Sequence, residues 1–215
     1  MITINNLKIN NPKLIKNVSI VNQYQSSWDQ QNNKTCGIYE PLLNNVIANN
    51  PTNTNFLAVL HKCLLINTLY STRISKSDLA VIAEGIVQTT NFDQLLKNDP
   101  DVTKAIDVII SFTKRKNYAF ATKYCALHMN GKFPIYDSLS VKVLKYYQDN
   151  YHFYIQGQFD VESVSKDYKT YVQIYDKFIK TYLSNTNANY REVDKYLWTC
   201  GKQMSQKQPY SILSY

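Results

Sequence analysis

Glycine is scarce, with five residues in a chain of 215. That argues against glycine-rich loops that cradle phosphates and against a turn-dense β architecture. Cysteine is sparse and scattered. Cys36, Cys63, Cys125 and Cys200 form no CxxC pair and no Cys/His pair at ligand spacing, which disfavours a structural zinc or an iron–sulfur cluster. Free and mostly buried thiols are expected instead. His61, His128 and His152 are equally dispersed, so neither a metal nor a cofactor is expected. No apolar run reaches the roughly 18 residues needed to cross a bilayer. The opening MITINNLKIN lacks the basic and apolar regions of a signal peptide. The expected setting is the cytoplasm, with no membrane partner.

Strand-like alternation is nearly absent, and the periodicity that is present is helical. NTNFLAVLHKCLLINTLYSTRI carries a wide apolar stripe through Phe56, Leu57, Leu60, Cys63, Leu64 and the Ile66–Leu69 edge. Ser77 reads as the N-cap of DLAVIAEGIVQ, whose Leu79, Ile82 and Ile86 share a face. Asp99 before Pro100 reads as a helix start leading to Val102, Ala105, Ile106, Ile109 and Ile110. Further helices fit YAFATKYCALHM, the segment beginning at Asp137, and the tyrosine stripe Tyr168, Tyr171, Tyr175, Phe178, Ile179, Tyr182. The stretch NYREVDKYLWTCGK closes the set, with Gly201 as its C′ residue. Residues 1–25 look irregular or partly helical. The expectation is an all-α chain of about eight to ten helices. It would form one domain over 1–215, in two lobes with a cleft between them. One lobe would span 50–145 and the other 1–49 plus 146–215, with 145–165 as a longer connection. A monomer is expected.

The net charge is +8, from 24 basic and 16 acidic residues, which suits a polyanionic partner. Its distribution is more telling. Between Thr113 and Tyr147 the charged residues are Lys114, Arg115, Lys116, Lys123, Lys132, Lys142, Lys145 and a single acid, Asp137. Positive charge to hold phosphates, with one carboxylate for chemistry, is what an enzyme acting on nucleic acid needs. A solvated basic face is the other reading. Asp137 itself stands where an N-cap belongs, because its carboxylate can accept the free N–H groups of a first turn. A cap and a catalytic carboxylate are compatible, since a helix N-terminus stabilises negative charge.

Two consecutive helical stretches, AIDVIISFT and YAFATKYCALHM, are joined by the short basic turn KRKN. Such a hairpin can present N–H groups and cations to a DNA phosphate without reading sequence. Hairpin, helix, short loop and then FPIYDSLSVKVL resembles the helix–hairpin–helix DNA glycosylase superfamily, in which a Pro/Val-x-Asp-x-x-Val segment after the hairpin supplies the catalytic Asp. The likeness spans about residues 55–147 and is carried chiefly by the Asp motif. It implies Asp137 as the catalytic carboxylate and Lys114, Arg115, Lys116, Asn117, Ser138 and Lys142 as contacts to duplex DNA. The helix ending at Tyr70, Ser71, Thr72 and Arg73 would line the base pocket.

The family's Leu-Pro-Gly-x-Gly hairpin is replaced by TKRKN, which has no glycine. Phosphate contacts would then come from side chains. The lysine that strand-cleaving members carry after the hairpin is replaced by Tyr118, Ala119 and Phe120, so a monofunctional enzyme is implied. The iron–sulfur cysteines of some relatives are absent. A flipped base needs aromatic faces, and Tyr70, Tyr136 and Trp198 are the candidates among eighteen tyrosines and two tryptophans. Each is equally suited to a core. Two alternatives stay open: a non-catalytic all-α protein that binds DNA or RNA through the same hairpin, and a helical scaffold whose charge is incidental.

Overall fold

A computed structural model describes residues 39–98, 102–129, 131–154, 164, 167–184 and 188–205. The expectations for residues 1–25, for Cys36, and for the Asp99–Pro100 step lie outside these residues. The fold is all-α, with nine helices and no strand among the described residues. They are α1 (Tyr39–Asn49), α2 (Phe56–Leu69), α3 (Lys76–Gln88), α4 (Phe92–Asn98), α5 (Lys104–Ser111), α6 (Tyr118–His128), α7 (Ser138–Tyr151), α8 (Tyr168–Tyr182) and α9 (Tyr190–Ser205).

Local chemistry sets where most of these helices begin. Asn55, Ser75, Asp137 and Asp167 are N-caps in extended backbone, each accepting a first-turn N–H. The cap of α3 is Ser75, not Ser77. Its hydroxyl accepts the Asp78 N–H at 3.0 Å, and Ser77 already lies within the helix. Among the described residues, the helix carrying Ala105, Ile106, Ile109 and Ile110 begins at Lys104. Val102 has a left-handed φ of 50°, which a right-handed helix cannot continue through. Gly201 is not a C′ residue. It sits inside α9, which runs on to Ser205.

The described chain divides between Tyr136 and Asp137 into two units. This boundary falls earlier than the expected 145/146: α7, which begins at Ser138 with Asp137 as its N-cap, packs on α9 and α8. It also places α1 in the earlier unit, where Leu43 is buried and α1 packs on α2. Residues 145–151 are helical, so they are not a connection.

In the unit up to Tyr136, α2 packs on α3, α5 on α6, and α2 also on α6. Val59, Cys63, Ile66, Leu79, Ile82, Ile106, Ile109 and Phe120 fill its core. The buried face of α2 is therefore Val59, Lys62, Cys63 and Ile66, one face at spacings of three and four. Phe56, Leu57 and Leu64 of the expected stripe are exposed, Leu57 to 73%.

In the unit from Asp137 on, α7 packs on α9 and α8. The tyrosine stripe of α8 is buried at Tyr168, Tyr171, Tyr175, Phe178 and Tyr182, while Ile179 is partly exposed. Tyr147 joins the ring cluster, 5.0 Å from Phe178 and 5.2 Å from Tyr182 between centroids. Its hydroxyl meets that of Tyr196 at 3.0 Å. A phenol buried among rings is tolerated when its hydroxyl has a partner. No helix among the described residues is long and apolar enough to cross a membrane.

Candidate nucleic-acid interface and carboxylate

Helices α5 and α6 pack on each other, and the chain from Phe112 to Asn117 joins them. Lys114, Arg115 and Lys116 are all exposed in this connection. Thr113 organises it, donating its hydroxyl to the Arg115 carbonyl at 2.8 Å and accepting from the Asn117 amide at 3.4 Å. Asn117 is the N-cap of α6, but through its backbone. Its carbonyl accepts the Phe120 and Ala121 N–H groups, both at 3.0 Å, and its side chain caps nothing. The hairpin thus presents three cations on a loop closed by side-chain bonds, without glycine.

Not every cation of the basic segment is open to a partner. Lys123 is buried, its ammonium 5.7 Å from the Tyr70 ring centre. Lys132 donates to the Leu96 and Lys97 carbonyls at 2.9 and 2.8 Å, so it caps the last turn of α4. Lys145 pairs with Asp149 one turn on. Lys142 is exposed and donates to Ser205 at 3.3 Å.

The stretch between α6 and α7 is anchored to α6. Phe133 and Ile135 are buried. The Tyr136 N–H donates to the Thr122 hydroxyl at 3.0 Å. The Tyr136 ring lies 5.9 Å from that of Tyr118. Asp137 is the next residue. It caps α7, with one carboxylate oxygen accepting the Leu139 N–H at 2.9 Å, and it is partly exposed. Ser138 follows as an exposed residue of the first turn.

The loop from Tyr70 to Ser75 is strained. Ser71 and Arg73 are both exposed and both hold left-handed backbone, at φ 50° and 59°. A non-glycine residue there costs about 1 kcal/mol or more. Asn67 sustains it: its side-chain oxygen accepts from the Thr72 hydroxyl at 2.7 Å and the Ile74 N–H at 3.0 Å, and its amide donates to the Ile74 carbonyl at 3.1 Å. Of the aromatics expected around a base, Tyr70 and Tyr136 belong to the unit up to Tyr136 and Trp198 to the other. Lys202 lies 5.0 Å from the Trp198 ring.

Two polar clusters are buried in the structure. The first is buried under α2, α4 and α6. Asn53 is its hub: its N–H and amide donate to the Asp93 carboxylate at 3.1 and 2.6 Å, and its oxygen accepts from Lys62 at 3.0 Å and Tyr124 at 2.6 Å. Lys62 also donates to the Thr52 carbonyl at 3.1 Å. Burial pushes the Lys62 ammonium down to about 8, against the opposing pull of Asp93. Burial likewise raises the Cys63 thiol to about 12 and the Tyr124 phenol well above its usual range. His128 stacks on Tyr124 at 4.3 Å, with Nδ1 2.7 Å from the Tyr124 carbonyl. That carbonyl can only accept, so the proton sits on Nδ1. Nε2 is buried without a hydrogen-bond partner. Burial, reinforced by Lys62, brings His128 down to about 4. The one available signal was Lys62 itself, at i+3 from Val59 and i−4 from Ile66 on an apolar face.

The second cluster lies in the other unit. Arg191 donates to the buried Asp194 at 2.9 Å. Tyr171 and Tyr175 are fully enclosed nearby, and burial, then the surrounding anions and phenols, raises both phenols. Arg191 and Asp194 are one turn apart in sequence, but the burial of the pair is a product of packing. Among the described residues no three His, Cys, Asp or Glu side chains gather as a metal site. Cys63, Cys125 and Cys200 are buried thiols outside any disulfide.

No solved structure matches this chain. An uncharacterized protein of Haemophilus influenzae is 30% identical to it over 151 residues, 69% of this chain and 69% of that protein. The family model described as HI_0787_N, an N-terminal domain, matches residues 20–132. The match stops four residues short of Tyr136, so Asp137 lies beyond it. Because that model spans more than half of the sequence, this chain belongs to the HI_0787_N family.

Proposed function

We propose that this protein is a DNA N-glycosylase-like enzyme, monofunctional, which hydrolyses the bond between a flipped, modified or damaged base and its sugar with Asp137 as the catalytic carboxylate. One observation carries the reading. In one unit the connection between α5 and α6 exposes Lys114, Arg115 and Lys116, and in the other Asp137 is a partly exposed carboxylate at the N-terminus of α7. Cations that can hold phosphates and an exposed carboxylate are the two kinds of group such a reaction needs.

A base in a duplex cannot be reached in place, so the nucleotide is flipped out at a cost of a few kcal/mol. Breaking its glycosidic bond builds positive charge on the sugar. The Asp137 carboxylate would stabilise that charge and orient or deprotonate the attacking water, as carboxylates do in glycoside hydrolysis. The burial of Lys123 against Tyr70 supports a monofunctional enzyme, since an amine that captures the sugar must be open to it. Ser71 and Arg73, on their strained loop, would line the base pocket with Tyr70, because backbone strain gathers where function requires it.

The test is incubation with duplexes that carry a panel of lesions and modified bases, phage-type cytosines included, followed by alkaline cleavage at abasic sites. Base release is expected, with a loss of at least about 100-fold in Asp137→Asn at unchanged DNA affinity. Failure to release any base across the panel overturns the reading. The second reading, a binder without turnover, is favoured by the glycine-free hairpin. It predicts that Asp137→Asn binds DNA as tightly as the parent, or slightly tighter, with no activity to lose.

A further inference from the structure

We propose that the outward side of α2, with the acids of α3 beside it, is a docking surface for a basic amphipathic helix of a partner protein. Helices α1, α2 and α3 all belong to the unit that ends at Tyr136. The inward side of α2 is taken up by the core, through Val59, Lys62, Cys63 and Ile66. Its opposite side is apolar as well. Leu57, Leu60 and Leu64 recur at i, i+3 and i+7, so they line one stripe, with His61 beside them. Leu57 and Leu64 are exposed, and Leu60 partly so. A helix apolar on both sides is ordinarily covered on both. Leucines at steps of three and four form the seam into which a second helix packs. The two helices that pack on α2 expose apolar side chains too, Leu42 on α1 and Val81 on α3.

Charge selects the occupant. The chain carries +8, yet between Tyr39 and Tyr70 its only acid, lysine or arginine residues are Glu40 and Lys62. Lys62 is buried, with its ammonium donating to Thr52 and Asn53. On α3, Asp78, Val81 and Glu84 follow at steps of three, so the exposed valine stands between two exposed acids. Lys76 is five residues before Val81, which puts it about 140° away around the helix. The outward faces of α2 and α3 are therefore apolar and acidic, with no lysine or arginine on them. A helix with one apolar stripe and cations beside it matches both properties. A second copy would bring two more acids to the same place, and an anionic membrane would meet like charge. The +8 of the whole chain opposes a basic partner only weakly, because charges more than about 8–10 Å away are screened at physiological salt.

The experiment uses the full chain and a labelled synthetic peptide, an amphipathic helix with leucine on one stripe and lysine elsewhere. The same peptide with glutamate in place of lysine is the control. Fluorescence anisotropy follows binding to the parent, to Leu57→Ser with Leu64→Ser, and to Asp78→Asn with Glu84→Gln. Circular dichroism checks that each variant keeps its helices. The lysine peptide should bind the parent, and its affinity should fall at least about tenfold in the leucine variant. In the acid variant the fall should be about three- to tenfold, with a weaker dependence on salt. The glutamate peptide should be indifferent to both sets of substitutions. The proposal is overturned if the lysine peptide does not bind, or if either variant binds it within about twofold of the parent. It is equally overturned if the leucine substitutions weaken the glutamate peptide as much. A dimer in sedimentation velocity that the leucine substitutions dissolve would give the surface to a second copy. Capture by phosphatidylserine vesicles, lost in the same variant, would give it to a membrane. Either result sinks the basic-helix partner. Should the leucine variant not fold, the acid variant decides by the same limit.

Discussion

Gly201 of α9 lies so close to Leu139 of α7 that a Cβ at position 201 would stand 2.6 Å from the Leu139 Cβ and 2.7 Å from its carbonyl oxygen. Backbone is among the atoms in the way, so no rotamer change relieves the clash. In an exposed helix interior, Gly→Ala gains about 0.5–1 kcal/mol from propensity. Here Gly201→Ala should instead lose about 1–3 kcal/mol, because α7 and α9 must separate. Urea unfolding of the two proteins checks the sign.

Asn53 joins three helices through one side chain, so its removal takes a partner from Lys62, Asp93 and Tyr124 at once. Asn53→Ala should cost about 3–5 kcal/mol, the scale for breaking a buried charged network by one member. Denaturant midpoints at neutral pH measure it, and a cost below 1 kcal/mol would contradict the hub.

His128 makes the protein sensitive to acid. Its folded value, about 4, lies below the unfolded value near 6.5. Between those values the unfolded chain holds a proton that the folded chain does not, so stability falls as pH drops through this window. Below about 4 both states are protonated and the slope ends. The loss over the window should be about 3 kcal/mol. Thermal melts at pH 7 and pH 4.5 should show His128→Asn less stable than the parent at pH 7 and less dependent on pH.

Lys62 acts at the other end of the scale by the same logic. It is held to about 8 against an unfolded value of 10.5, so the folded state sheds its proton first. Stability contributed by this group rises with pH between about 8 and 10.5. Lys62→Met should remove that rise, as read from unfolding midpoints across the alkaline range.

Replacing Lys114, Arg115 and Lys116 together by Ala removes three exposed charges without touching the core. Stability should shift by less than about 0.5 kcal/mol for each residue. If the hairpin holds phosphates, the slope of log affinity against log salt should shrink by up to about 3. Fluorescence anisotropy with a labelled duplex over a salt series gives the slope. An unchanged slope would remove the hairpin from the interface.

Much of the fold was legible in advance. Of the stripe Tyr168, Tyr171, Tyr175, Phe178, Ile179, Tyr182, all but the partly exposed Ile179 form one buried face, because a 3.6-residue period leaves few other ways to bury five rings. The cap at Asp137 was legible too, since an acid before an apolar run satisfies free N–H groups whatever the rest of the chain does. Other local signals competed and were settled at short range. Ser75 and Ser77 are both suitable caps, and the backbone entering α3 is extended at Ser75.

What the sequence by itself determined is the helical class and the placement of most helices, since periodicity and capping act within a few residues. Tertiary structure alone decided which side of α2 faces inward. Phe56, Leu57 and Leu64 had the hydrophobicity, yet the buried face includes Lys62, because Asn53, Thr52 and Asp93 arrive from elsewhere to receive a charge. It alone gave Gly201 a neighbour in Leu139 and Thr122 a partner in Tyr136. Those bonds and clashes join segments far apart in sequence, and no local pattern records which segments will meet.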